Sequence, residues 1–180
     1  MNPVTIGITR PSSREKNSPL SQRLAELSQQ GFAIKIREAA ASPDWPYTAG
    51  SAEDRAHALS SLLLDPEVDI ILAARGGYGA SDLLHLLPWD ELQKASQKIL
   101  VGFSDTTALQ MALWNKLQWP SIHGPMPGSS CRIRIGGPPP ATCTSWVASR
   151  PPASGPVKEK ISRAVQSLIS YVPVLICGRG

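Results

Sequence analysis

The sequence predicts an α/β fold built on an open parallel sheet with helices on both faces. Short apolar runs alternate along the chain with segments whose apolar residues have helical spacing. Residues 68–74 and 98–103 are apolar almost throughout, which is typical of strands that are covered on both faces. The order of elements over residues 3–123 is β-α-β-α-β-α-β-α-β, which favours a flavodoxin-like or Rossmann-like sheet of about five strands.

Each predicted strand and helix has a local signal. Strands are predicted at residues 3–9, 32–36, 68–74, 98–103 and 121–123. A first helix follows from the spacing of Leu20, Leu24 and Leu27, and Gly31 is expected to end it. Ser51 and Asp54 form a capping-box pattern that opens a second helix, which runs to residue 65.

Two more helices are predicted in the second half of the sheet region. The first covers residues 81–87 and is short. The second covers residues 106–117 and is expected to turn Leu109, Ala112 and Leu113 toward the core.

The pattern stops after Gly128, which predicts a boundary between residues 1–128 and a tail of residues 129–180. The first part has 11 Lys and Arg against 13 Asp and Glu, a net charge of −2, whereas the tail has 7 basic residues and one acid, a net charge of +6. The tail holds 7 of the 17 prolines and is expected to be poorly ordered, with a short helix at 161–170 and a short strand at 172–177.

Composition argues against several classes of function. No apolar run approaches the roughly 18 residues of a membrane span, and no secretory pattern is present, so a cytoplasmic protein is expected. The basic residues of the tail are scattered and argue against a nucleic-acid partner. Cys131, Cys143 and Cys177 lack metal-ligand spacing, and no two histidines have it, so we expect neither a metal nor another cofactor.

Ser104 is the first candidate for chemistry. It follows a buried strand and precedes a helix, so its hydroxyl is expected at the carboxyl edge of the sheet, where open α/β folds bind ligands. The segment Gly102-x-Ser104-x-Thr106 is similar to a nucleophile elbow but lacks the second glycine. The alternative is that Ser104 only caps the helix.

Two other features are expected at the same edge. The segment 75–79, Arg-Gly-Gly-Tyr-Gly, could present a backbone N–H to an oxyanion or to a phosphate, or it could be a tight turn only. It matches no nucleotide-binding motif. His123 lies near a strand end and is either a catalytic base or a structural residue, whereas His57 and His85 are expected to be ordinary surface residues.

At these residues the chain resembles the LD-carboxypeptidases, which are serine peptidases that include muramoyltetrapeptide carboxypeptidase and the microcin-immunity peptidases. The resemblance covers residues 3–128. It depends on three motifs in the correct order, with weaker support from residues 10–13 and 47–55: Asp-Ile-Ile-Leu-Ala-Ala-Arg-Gly-Gly-Tyr-Gly at 69–79, Val-Gly-Phe-Ser-Asp-Thr-Thr-Ala-Leu at 101–109 and His-Gly-Pro-Met at 123–126.

The resemblance implies roles that the spacing alone leaves open. It implies that Ser104 is the catalytic nucleophile, that the backbone N–H groups of Gly77 and Asp105 form the oxyanion hole, and that His123 is not the base. It places the base, a histidine, and its orienting glutamate in a separate C-terminal domain. The implied activity is removal of the terminal D-alanine from cytoplasmic murein tetrapeptides during peptidoglycan recycling. The implied partners are the murein peptide and, in an intact family member, a second copy, with no nucleic acid and no membrane.

The tail departs from this family. Residues 129–180 contain no histidine and one acid, Glu159. A frameshift or truncation would produce such a change, and a genuine alternative tail is the other explanation. The chain is therefore expected to be inactive alone. The alternatives from other classes are a non-catalytic module that binds a muropeptide or peptide, and a flavodoxin-like domain that binds phosphate or a nucleotide at residues 76–77.

Overall fold

A six-stranded sheet forms the centre of the computed structural model, which describes residues 3–14, 19–39 and 44–128 and the backbone of residues 147–148. The strand order is β2-β1-β3-β4-β5-β6, and the first five strands run parallel. The strands are β1 (Thr5–Thr9), β2 (Ala33–Ile36), β3 (Ile70–Ala73), β4 (Ile99–Gly102), β5 (Ser121–His123) and β6 (Val147–Ala148). The predicted open parallel sheet is confirmed.

The helices connect the strands in the predicted order. They are α1 (Leu20–Gln29), α2 (Ala52–Leu64), α3 (Trp89–Leu92) and α4 (Thr107–Leu117). Gly31, at a φ of +91°, follows the end of α1 as expected. Ser51 caps α2, because its side chain accepts a hydrogen bond of 3.0 Å from the Asp54 N–H. None of the helices in the described segments is long and apolar enough to cross a membrane.

Apolar side chains cover the sheet on both faces. One layer packs α2, α3 and α4 against the sheet, and its buried members include Leu59, Leu63, Ile71, Leu100, Leu109 and Leu113. The other layer lies under α1, and its buried members include Ile6, Ile8, Leu20, Ile70, Val101 and Ile122. Every residue of β3 and β4 is buried, which explains why both strands are continuous apolar runs.

The structure corrects three local predictions. The segment 81–87 contains only a 3-10 turn at Ser81–Leu83, and the four-residue α3 after Pro88 was not predicted. The inward-facing polar residue of α4 is Gln110, which is buried, whereas Ala112 is only half-buried. The reason is that the Gln110 amide donates hydrogen bonds to Gly102 O at 3.0 Å and Ile122 O at 2.8 Å, which tie α4 to β4 and β5.

Within residues 129–180, the structure describes only the backbone of residues 147–148, which forms a short strand. Val147–Ala148 pairs antiparallel with β5, opposite His123 and Ile122. The pairing adds a sixth strand at the β5 edge of the sheet. The other predictions for the tail, including those for 161–170 and 172–177, lie outside the described residues.

Candidate active site

Ser104 lies at the carboxyl end of β4 in a backbone conformation that is uncommon for a residue with a side chain. Its φ is +62°, in the left-handed region, and it begins the 3-10 turn Ser104–Thr106 that leads into α4. Such a conformation costs about 1–2 kcal/mol per residue. The side chain is exposed, and its hydroxyl makes no hydrogen bond within the described residues. The alternative that Ser104 only caps the helix is wrong, because neither the turn nor α4 has a side-chain cap.

The turn at Ser104 packs closely against β4 although residue 106 is a threonine and not the second glycine of a nucleophile elbow. A Cβ on Gly102 would lie 2.8 Å from the Thr106 Cγ2, so the turn folds tightly onto β4 only because residue 102 is a glycine. The Thr106 hydroxyl donates to the sulfur of Met126 at 3.7 Å, in the segment that follows β5. The segment 102–106 therefore makes a sharp turn between a strand and a helix although residue 106 carries a side chain.

The glycine loop after β3 lies against this elbow. A Cβ on Gly76 would lie 3.0 Å from the Phe103 carbonyl oxygen and 3.2 Å from the Ser104 Cβ. Gly77 has a φ of +122° and Gly79 a φ of +103°, both in the region that favours glycine. The structure thus brings Gly77 and Ser104 to one edge of the sheet, as the sequence predicted.

The backbone N–H groups of Gly77 and Asp105, the pair predicted to bind an oxyanion, have no intramolecular acceptor within the described residues, and neither do those of Gly76 and Gly79. The Asp105 side chain makes a contact that sequence analysis missed. Its Oδ2 accepts a hydrogen bond of 2.8 Å from the Ala80 N–H, so its carboxylate joins the elbow to the end of the glycine loop.

Arg55 is the main residue at this edge that sequence analysis missed. Its side chain is 2% exposed, and Nη1 donates to Pro11 O at 2.6 Å and to Gly79 O at 2.7 Å, while Nε donates to Gly50 O at 3.2 Å. Burial lowers the pKa of Arg55 from its ordinary value, and the nearby charge of Asp82 opposes that shift. One guanidinium therefore joins three loops, including the glycine loop.

Replacing Arg55 with alanine is expected to lower the free energy of unfolding by about 3–5 kcal/mol, the usual cost of removing one partner from a buried charged network. The reason is that three carbonyl groups lose a donor in a buried place. Urea denaturation measures the effect. Arg37→Ala is the matched control, because Arg37 is exposed and should change stability by about 0.5 kcal/mol or less. Equal urea midpoints for the two variants would contradict this assignment.

None of the three histidines forms a hydrogen bond with the Ser104 hydroxyl. The His123 Nδ1 is 3.5 Å from the Thr107 hydroxyl, and its ring meets the Phe103 ring edge-on at 6.3 Å. His57 is exposed on α2, and His85 is exposed after the 3-10 turn, as expected of surface residues. Within the part of the chain that the structure describes, no group of three His, Cys, Asp or Glu residues could hold a metal ion.

The sequence of residues 6–124 matches the family model described as the LD-carboxypeptidase N-terminal domain. The chain belongs to the LD-carboxypeptidase family. The match covers nearly all of the segment on which the sequence resemblance was based, so that resemblance is confirmed.

Individual relatives of this LD-carboxypeptidase chain agree with the family match. It is 31% identical over 121 residues to a murein tetrapeptide carboxypeptidase of Pseudomonas aeruginosa, covering 67% of this chain and 39% of that protein. It is 30% identical over 99 residues to the microcin C7 self-immunity protein MccF of Escherichia coli, covering 55% and 28%. The crystal structure of muramoyltetrapeptide carboxypeptidase from Oxalobacter formigenes superimposes with a TM-score of 0.60 at 31% identity, covering 70% and 41%. The chain therefore spans about two fifths or less of the length of these relatives.

Proposed function

We propose that this chain is the nucleophile-bearing part of a serine-type LD-carboxypeptidase that removes the terminal D-alanine from murein tetrapeptides in the cytoplasm. The observation that carries the proposal is the strained, exposed Ser104 with the glycine loop packed against it. Strained backbone conformations persist where the surrounding structure imposes them, and they cluster at active sites. The family match and the murein tetrapeptide carboxypeptidase named among the relatives support the substrate class.

The proposed reaction is acyl transfer through Ser104. Its Oγ attacks the carbonyl carbon of the peptide bond before D-alanine, while a histidine takes the hydroxyl proton. The N–H groups of Gly77 and Asp105 bind the oxyanion of the tetrahedral intermediate. The carbon–nitrogen bond then breaks, D-alanine leaves with the proton from the histidine, and water hydrolyses the acyl-enzyme.

The proposed histidine is not one of the three in this chain. The Ser104 hydroxyl has no hydrogen bond to any of them, and no histidine occurs after residue 123. We assign the base and its orienting glutamate to a C-terminal domain of the kind that the family resemblance implies. In this form the chain supplies a nucleophile and two oxyanion donors without the base.

The alternative of phosphate or nucleotide binding finds less support in the glycine loop. Of its N–H groups, that of Tyr78 donates to the Ser13 hydroxyl and that of Ala80 to the Asp105 carboxylate. The N–H groups of Gly76, Gly77 and Gly79 have no acceptor within the described residues, but a phosphate bound there would lie close to the Asp105 carboxylate, which repels it. Binding of a muropeptide without turnover is the second candidate, and the lack of a histidine that is hydrogen-bonded to Ser104 favours it for the chain as it stands.

The isolated chain is expected to show no measurable release of D-alanine from a tetrapeptide that ends in D-alanine. The reason is the missing base, since removing one member of a catalytic triad leaves only residual activity. Chromatography of released D-alanine tests this. A hybrid that joins residues 3–128 to the C-terminal domain of a related LD-carboxypeptidase should release it. Turnover by the isolated chain at roughly 1 per second or more would contradict the proposal, since that is an ordinary enzyme rate.

A further inference from the structure

Ser13 makes two hydrogen bonds to the glycine loop, one on each side of Gly77. Its backbone N–H donates to the Gly76 carbonyl at 3.4 Å, which is long for such a bond. Its Oγ accepts from the Tyr78 N–H at 3.0 Å. Both peptide groups that flank the Gly77 Cα are therefore in contact with Ser13.

These contacts fix the direction of the Gly77 N–H. The Gly76 carbonyl and the Gly77 N–H belong to one trans peptide group, in which the two bonds point in opposite directions. Because the carbonyl points toward Ser13, the N–H points away from it. A Cβ on Gly77 would lie 2.7 Å from the Ser13 Cβ, so the loop approaches Ser13 this closely only with glycine at position 77.

Ser13 is itself held in place by backbone pairing with residues 47–49. Ser13 pairs with Thr48 in an antiparallel bridge. The residues on either side complete the pairing, because the Arg14 N–H donates to Tyr47 O at 3.1 Å and the Ser12 carbonyl accepts from the Ala49 N–H at 3.0 Å. Ser13 therefore reaches the glycine loop from a backbone that is fixed on both sides.

We propose that Ser13 is a positioning residue that aims the Gly77 N–H at the oxyanion. The inference depends on the proposed function, in which Gly77 is an oxyanion donor. Ser13 does not touch the reacting atoms. It acts through the two peptide groups next to Gly77, and its hydroxyl holds the second of them. Electrostatic stabilisation of this kind is effective because the donors are oriented before the reaction begins.

The neighbouring serine offers a matched control. Ser12 Oγ is buried and has no hydrogen-bond partner within the described residues, whereas Ser13 Oγ accepts the Tyr78 N–H. Ser13→Ala and Ser12→Ala each remove one serine hydroxyl, and the two positions are adjacent in one loop. Only the first removes a contact to the glycine loop.

The test has two readouts. The first is the residual dipolar coupling of the Gly77 N–H in the ¹⁵N-labelled full chain, which reports the orientation of that bond, with amide exchange of Tyr78 measured alongside. The second is the rate at which an alkyl fluorophosphonate labels Ser104 in the hybrid, which supplies the base that activates this hydroxyl, followed by peptide mass spectrometry. In that reaction a bond forms between Ser104 Oγ and phosphorus, the phosphorus–fluorine bond breaks, and the proton and fluoride pass to solvent.

Ser13→Ala is expected to change the Gly77 coupling, to speed Tyr78 exchange and to slow labelling, the last two by about tenfold, the upper range for one hydrogen bond. Ser12→Ala should match the wild type in all three. An unchanged Gly77 coupling in Ser13→Ala, or an equal change in Ser12→Ala, would overturn the positioning role. If the coupling responds to Ser13→Ala while Ser104 is labelled in no variant, the orienting role of Ser13 stands and the proposed nucleophile is wrong.

Discussion

Replacing Ser104 with alanine in the hybrid is expected to abolish release of D-alanine, with a loss in kcat of about 10⁶-fold. The loss is this large because Ser104 is the only nucleophile proposed at the carboxyl end of β4, and the groups around it would be left to act on water alone. Alanine is also strained at a φ of +62°, so the variant tests chemistry without relieving the backbone. Chromatography of D-alanine from a tetrapeptide measures the effect.

A serine on α2 serves as the control for this substitution. The Ser61 hydroxyl donates to the Ala58 carbonyl within the helix, at a distance of 2.9 Å. Ser61→Ala should leave kcat within about twofold, since it removes a contact inside one helix turn. A folded Ser104→Ala hybrid that keeps its activity would show that another residue is the nucleophile.

Replacing Gly77 with alanine in the same hybrid is expected to lower kcat by about 100- to 1000-fold, the usual cost of losing one oxyanion donor. Two features of the structure make even the smallest side chain disruptive. The φ of +122° is unfavourable for alanine, and the new Cβ would lie against Ser13. The loop must therefore shift, and the Gly77 N–H shifts with it.

Gly31 provides the matched control for backbone strain. It too has a positive φ, +91°, but nothing lies within 4 Å of the place where its Cβ would be. Gly31→Ala should cost about 1 kcal/mol or more of stability and leave kcat unchanged. Asp105→Asn is a second control. It should lower kcat much less than Gly77→Ala, because asparagine keeps the backbone N–H and an oxygen to accept the Ala80 N–H. If Gly77→Ala and Gly31→Ala had the same kcat, Gly77 would not be an oxyanion donor.

The sheet was predictable because its signal is local. β3 and β4 are buried on both faces, and such strands are continuous apolar runs in any sequence that folds this way. The start of α2 was predictable for the same reason, since Ser51 and Asp54 are neighbours in the capping turn. α3 was missed because four residues after Pro88 are too few to show a helical period.

The supporting contacts of the site were not predictable from spacing. Arg55 lies on a helix, where a charged residue usually faces solvent, and its burial depends on carbonyls 44 and 24 residues away in sequence. Ser13 reaches Tyr78 over 65 residues. The positive φ of Ser104 was also hidden, because the motif lacks the second glycine that usually marks such a turn.

Mapping the site of fluorophosphonate labelling on the hybrid, which supplies the base, tests the proposed nucleophile most directly. The hybrid is treated with the reagent, digested and analysed by mass spectrometry, beside its Ser104→Ala variant. We expect one labelled peptide from residues 3–128, the one that contains Ser104, because the hydroxyl is exposed, the hybrid has the base that activates it, and the Gly77 and Asp105 N–H groups are free to bind the phosphonyl oxygen. No label on Ser104, or equal labelling of the Ser104→Ala variant, would contradict the assignment of Ser104 as the nucleophile.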